Sequence, residues 1–280
     1  AYVGTPRSPF DTGVFLSSPA QQVRAATAEG LVAFDAQGRV VPALADRWII
    51  TDDGLSYIFR LRDGTWRDGS ELSADSARSA LRERLRGLRG SSLGLDLSGI
   101  DEIRAMAGRV VEIRLSRPMP HLLQLLAQPE MGLVRKGRGA GPMTMRREGD
   151  TAILTPIAPE RLGMPAITGW DERVRTLRVD ASSGEKAVAR FNAGEADVML
   201  GGTIAEFPLA RSVGLLRGTI QIDPVNGLLG LSVLNDRGFL SSPANREAIA
   251  MAIDRAALIE PFGISGWKTS TRIVSSAVED

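Results

Sequence analysis

The chain contains no cysteine. Disulfides, thiolate nucleophiles and cysteine-based zinc or iron–sulfur sites are therefore excluded together. Its one histidine, His121, lies between Pro120 and an apolar run and reads as a surface residue at a helix start. With no Ser/Asp motif beside it, it offers neither a catalytic triad nor the usual copper or zinc chemistry. Lysine is almost absent too: of 34 basic residues only Lys136, Lys186 and Lys268 are not arginine. The 33 acids are interleaved with them and leave a formal net charge of +1. That balance gives no electrostatic case for nucleic acid or an anionic membrane. No apolar run approaches the roughly 18–20 residues of a membrane span. The first residues carry no Met, basic segment or apolar core of an export signal, which suits a mature or a trimmed chain.

Carboxylates are plentiful but fall in no EF-hand, HExxH or paired-acid pattern. Gly137-Arg138-Gly139-Ala140-Gly141 lacks the sixth-position glycine and the Lys-Ser/Thr pair that phosphate loops need. It reads as a flexible crossing. No cofactor, metal or catalytic residue is expected.

What is present is ordinary globular material, 43% hydrophobic and 24% charged over 280 residues. That length suits one large or two linked domains. Pro19 opens a helix that ends near Gly30. Strands are expected at Leu31–Phe34, Arg47–Ile50, Ser56–Arg62 and Val110–Leu115, with Asp52-Asp53-Gly54 as a turn. Ser73 caps a helix from Ala74 to about Arg86, whose Arg78, Arg82, Arg84 and Arg86 form a solvated face. Residues 87–99 read as irregular, and His121 to Ala127 as a short apolar helix. Pro142 to Arg147 and Thr151 to Thr155 form a hairpin about Glu148-Gly149-Asp150. Val174–Val179, Asp197–Leu200 and Leu228–Leu234 read as strands. Ser183 and Ser242 cap two further helices. The mixture is α/β or α+β, without the alternation of a dinucleotide-binding unit.

Four blocks carry a resemblance. Glu29 to Asp35, Pro42 to Trp48, Asp52 to Gly64 and Trp66 to Ser70 are similar, in order and spacing, to the signature of family 5 bacterial extracellular solute-binding proteins. Gly139-Ala140-Gly141-Pro142, Phe191 to Asp197 and the Arg246 to Leu258 helix extend the likeness. The resemblance implies a periplasmic binding protein-like, bilobal α/β architecture (type II, cluster C), with largely one lobe present. It implies residues 1–29 and 136–234 as one subdomain of the first lobe and 30–135 as the other. The start of a second lobe falls at 235–280, most of that lobe lying beyond residue 280.

It also implies a solute-binding component of an ABC importer, not an enzyme. The partners would be a small-molecule or peptide solute and an inner-membrane ABC permease, with no nucleic acid. The protein would be a periplasmic or lipid-anchored monomer. An alternative is a solute-sensing domain of a cytoplasmic transcriptional regulator. By chain position the solute should meet Leu16, Ser17 and Ser18, then Gly201, Gly202 and Thr203, then Asn226 to Leu229. Trp267, the tryptophan expected to be most exposed, could reach in from the second lobe. The signature blocks themselves are turns and packing residues, so they speak for the fold and hardly for the ligand.

Overall fold

The structure, a computed structural model, describes residues 1–280 apart from 14, 211–212, 214–218, 224–229, 265–266 and 273–280. It divides into two compact units, Ala1–Gly202 and Thr203–Asp280.

The first unit opens with β1 (Tyr2–Val3) and α1 (Ser18–Thr27). A small antiparallel ribbon follows, β2 (Val32–Phe34) with β3 (Val40–Pro42). Then β4 (Ala45–Ile50) turns through Asp52-Asp53-Gly54 into β5 (Ser56–Leu61). Here Asp53 accepts the Leu55 N–H and the Thr51 hydroxyl, while Gly54 supplies φ +67°. After α2 (Ala74–Gly87) and α3 (Ser92–Asp96), β6 (Ile100–Met106) and β7 (Val110–Leu115) complete a four-stranded antiparallel sheet in the order β4-β5-β7-β6.

Alternation along these strands sends Tyr57, Phe59, Leu61, Val111, Ile113 and Ile103 into one apolar cluster with Ala77, Ala80 and Leu81 of α2. The helix begins where it does because Ser73 accepts the Ser76 N–H and Ser76 Oγ accepts the Ser73 N–H. Trp66, 2% exposed, lies in the same cluster and its indole N–H donates to Ser76 Oγ at 2.8 Å. One serine thus joins the helix start to the largest buried side chain.

Next come α4 (Leu122–Leu126) and the short hairpin β8 (Val134–Arg135) and β9 (Arg138–Gly139). A three-stranded antiparallel sheet follows: β10 (Met143–Glu148), β11 (Thr151–Pro156) and, after α5 (Trp170–Arg173), β12 (Leu177–Val179). Strand β13 (Ala181–Ser182) pairs in parallel with β1, and α6 (Gly184–Asn192) follows it, capped by Ser183. A second apolar cluster gathers Tyr2, Val23, Ala152, Leu154, Val179 and Ala181.

Several expectations need correction. The 137–142 crossing is held in place: β8 and β9 pair, and Arg67 donates to the carbonyls of Gly139, Gly141 and Met143. A Cβ on Gly139 would stand 2.2 Å from the Thr27 carbonyl oxygen, so the chain there lies directly on the end of α1. Residues 87–99 contain α3, started by Ser91, which accepts the Gly94 N–H. Asp197–Leu200 makes no strand; Leu200 alone bridges to Tyr2. Of Leu228–Leu234, residues 228 and 229 lie outside the described residues, and 230–234 form no strand.

In the second unit the described residues form the helices α7 (Phe207–Ala210), α8 (Pro243–Ala252) and α9 (Arg255–Ile259). Ser242 precedes α8 as expected, with Pro243 in its first turn, but its side chain makes no cap hydrogen bond. Asp254 does cap α9, accepting the Ala257 N–H. Among the described residues of this unit none is buried, and Ile249 and Leu258 are exposed.

Candidate functional site

The positions singled out from the sequence turn out to do different jobs. Leu16 is half-buried and lines a groove of about 340 Å³ with Phe15, Gln21, Leu93, Gln128 and Glu130 among others. That volume lies at the small end of the range for small-molecule sites. Three pieces build it: the chain entering α1, the start of α3, and α4 with the turn after it. The amide of Gln21 donates to Glu130 at 3.1 Å, tying α1 to that turn across 109 residues of sequence. One turn further along α1, burial holds the Arg24 guanidinium below its ordinary pKa, as does nearby Arg84, while Glu130 opposes both. Asp96 and Glu130 line the groove and no basic residue does. Its walls therefore offer carboxylates, amides and Phe15, which is 78% exposed.

Ser17 is spent on its own loop. Its Oγ lies 2.9 Å from the Ser8 carbonyl and 2.8 Å from the Asp11 carboxylate, and its single proton serves one of them at a time. Ser18 is the exposed first residue of α1. Gly201 follows the bridge between Leu200 and Tyr2 and has φ +77°, a left-handed conformation that glycine adopts without strain. A Cβ there would stand 3.4 Å from the Tyr2 ring, so this turn rests on β1. Gly202 is exposed.

Thr203 belongs to the second unit. Its N–H and hydroxyl both donate to one oxygen of Glu206, at 2.8 and 2.7 Å, and start the turn into α7. The Thr203 hydroxyl first, then its backbone N–H, hold the Glu206 carboxyl below the usual range. Trp267 was expected to be exposed; it is half-buried, with its ring centroid 5.7 Å from that of Phe262, which in turn faces Phe207 at 6.3 Å. Asn226 and Leu229 lie outside the described residues.

Of the candidates among the described residues, Leu16 alone lines the groove. Gln21, Gln128 and Glu130 escaped notice because they lie 5, 112 and 114 residues further along from it; no local spacing announces that meeting. The tryptophans carry no site either: Trp66 is core, and Trp48 and Trp170 are half-buried. His121 is exposed just before α4. Among the described residues no group of three or more His, Asp or Glu could hold a metal, and no helix is long and apolar enough to cross a membrane.

Comparison with known proteins bears on the fold. Residues 39–149 match the family described as bacterial extracellular solute-binding proteins, family 5 middle. The Escherichia coli K12 protein named "Probable deoxycholate-binding periplasmic protein YgiS" is 30% identical over 125 residues, 37% of this chain and 23% of its own. The glutathione-binding protein GsiB of the same strain is 25% identical over 134 residues, 46% of this chain and 25% of its own. Among solved structures, the periplasmic binding protein DppA from Helicobacter pylori, in complex with the peptide STSA, superposes with a TM-score of 0.69. It is 19% identical, and the match covers 94% of this chain and 56% of DppA. NikZ from Campylobacter jejuni, in complex with Ni(L-His), gives 0.67 at 19% identity, covering 92% of this chain and 54% of NikZ. At such identity these structures speak for the fold, and the chain spans little more than half the length of either. Over residues 39–149 the chain is similar in sequence to the family 5 extracellular solute-binding proteins, and over most of its length it has the fold of the periplasmic binding proteins DppA and NikZ.

Proposed function

We propose that this chain is part of the substrate-binding component of an ABC importer, which captures a small solute of the peptide class and passes it unchanged to an inner-membrane permease. The observation that carries the reading is the fold shared with DppA and NikZ over more than nine-tenths of the chain. Relatives named for glutathione and deoxycholate binding support a small organic cargo. A periplasmic or lipid-anchored setting and a monomeric state go with it. The work of such a protein is reversible capture, so the reading needs no acid/base pair and makes the chain a binding protein and not an enzyme. None of the relatives reported favours the regulator alternative.

Within this reading, residues 1–29 and 136–234 form one part of the first lobe, 30–135 the other, and the second lobe starts near Asn235. The separate apolar clusters of the first unit support that division, Ala140 apart: one gathers Leu31 to Leu133 with Ala140, the other joins Tyr2 and Val23 to residues 152–181. Solute contacts are assigned to Leu16 and Ser18, to Gly201, Gly202 and Thr203, and to Asn226, Leu229 and Trp267. Ser17 supports them by closing its loop.

The test is native mass spectrometry of the protein from the complete gene, followed by calorimetry with mixed di- and tripeptides. We expect a small solute to co-purify and peptides to bind one to one. A protein that carries no solute and gives no heat with any peptide would sink the proposal.

A further inference from the structure

The four-stranded sheet has one face covered by α2 and the other open to solvent. On the open face the register sets out charges in rows. Glu112 stands opposite Arg104, and Arg114 opposite Glu102, so β6 and β7 meet with matched signs. Between β4 and β5 the pattern breaks: Arg47 is directly opposite Arg60. Directly opposed side chains in an antiparallel pair lie about 5 Å apart, and like charges there are destabilising.

Among the described residues no ion pair or side-chain hydrogen bond offsets that opposition. Both arginines are exposed, and neither makes an ion pair or side-chain hydrogen bond among the described residues. Of the acids on the face, Glu112 takes the Ser56 hydroxyl at 2.7 Å, and Glu102 is paired with Arg104 at 2.7 Å. Asp46 sits at the register shift between Ala45 and Arg47. Protection of a sheet edge would explain a charge on β4, the edge strand, but β5 is an interior strand. A plain solvated face would explain scattered charges, but the other two cross-strand pairs show that this sheet matches signs elsewhere.

We propose that the open face around Arg47 and Arg60 is a docking surface for an acidic protein partner, one that brings carboxylates to the two guanidiniums and apolar side chains to Ile49 beside them. Charge complementarity selects the occupant. Two unpaired guanidiniums side by side present forked donors suited to carboxylates. Ile49, 66% exposed and in the neighbouring row, adds an aliphatic contact that a docked protein would cover. Arginine beside exposed aliphatics is interface chemistry. An anionic membrane would be attracted by the arginines but repelled by Glu102 and Glu112 on the same face, which favours a patterned protein surface over a uniformly negative one. The inference is independent of which solute the protein carries.

Two measurements on the full chain test it. The first is fluorescence anisotropy of a labelled peptide of alternating glutamate and leucine at low salt, with sedimentation of phosphatidylglycerol vesicles alongside. We expect the peptide to bind and the vesicles not to. Joint Arg47→Glu and Arg60→Glu reversal should weaken the peptide about tenfold, as for desolvated charge pairs, while Arg89→Glu on the exposed α2–α3 connection changes nothing. The second is thermal melting of Arg60→Thr, expected to rise by about 1–3 °C as the repulsion is relieved. A fall in melting temperature would show that the arginines stabilise the fold, and would overturn the proposal. So would equal peptide binding by the reversed protein, no peptide binding at all, or binding to vesicles alone.

Discussion

The guanidinium of Arg67 donates to the carbonyl of Met143 at 2.8 Å, across 76 residues of sequence. Trp66, the residue before it, is in the cluster that spans Leu31 to Ala140, and Met143 packs against the other cluster. One planar side chain therefore ties the two apolar bodies of the first unit through backbone carbonyls. Arg62 makes a second long-range tie nearby, donating to the Leu162 carbonyl and to Glu29 at 2.9 Å.

Replacing Arg67 by lysine should not preserve this tie. A point charge on a flexible stem cannot serve three carbonyls that a rigid fork reaches together. We expect Arg67→Lys to cost about 1–3 kcal/mol in urea unfolding, in the range for hydrogen bonds to charged groups. Amide exchange in residues 137–142 should quicken at the same time. Unchanged exchange there would mean the crossing is held by other contacts.

Asp68 provides a pH signature. The Ser70 hydroxyl first, then the Lys136 ammonium 3.0 Å away, hold its carboxyl far below the ordinary value. A depressed carboxylate stabilises the fold fully above its unfolded pKa, about 3.9, and loses that contribution as pH falls through the folded value. The wild type should therefore be more stable than Asp68→Asn at pH 7, and the gap should close progressively below about pH 4. A gap that stays constant down to pH 2 would show that the charge contributes nothing.

Gly139 should not tolerate a methyl group. Its Cβ would meet the Thr27 oxygen at 2.2 Å and the Ala28 side chain at 2.6 Å, both of them parts of the chain leaving α1. Gly139→Ala is expected to destabilise by about 1–3 kcal/mol, the range for overpacking. Gly149→Ala, with open space around it but φ +58° in the hairpin turn, should cost less, through backbone strain alone. Comparable losses at the two sites in thermal melts would contradict the close approach.

Ser76 serves a helix start and a buried indole at once. Ser76→Ala removes the acceptor of the Trp66 N–H and half of the capping box, so about 1–3 kcal/mol should be lost. Ser79→Ala, three residues on, removes only a hydroxyl bonded to the Asp75 carbonyl and should be nearly neutral. Denaturant midpoints of the pair decide the matter; equal midpoints would deny Ser76 its double role.

If the solute proposal holds, Leu16 and Ser17 should separate cleanly. Leu16→Asp in the protein from the complete gene should lower peptide affinity about tenfold in calorimetry with little change in melting temperature. Ser17→Ala should lower melting temperature through its loop and leave affinity within about twofold, since its hydroxyl is already engaged. The reverse pattern would move the solute away from Leu16.

Much of the fold was legible because its signals act over a few residues. Ser73 followed by Ala77, Ala80 and Leu81 announces α2 to within a residue of its observed end, and Glu148-Gly149-Asp150 announces the β10–β11 hairpin, which closes with Glu148 opposite Thr151. In the same way Asp52-Asp53-Gly54 sets the turn that puts Arg47 opposite Arg60. The strand expected at Asp197–Leu200 fails because a strand needs a partner along its length, and Tyr2–Val3 offers only a single bridge. Strand β6 went unread because Ile100 to Met106 alternates poorly, and its pairing with β7 makes it a strand.

From its own residues the chain determined where helices start, where hairpins turn and which faces are apolar, since capping and turn hydrogen bonds close within a few residues. Tertiary structure alone decided that Ser17 closes a loop while Leu16 lines a groove, that Trp267 packs on Phe262, and that the glycines at 139 and 141 are pinned by Arg67. Those outcomes depend on partners many residues away, and a hydrogen bond or contact of that reach is fixed by how the elements pack, which no local spacing records.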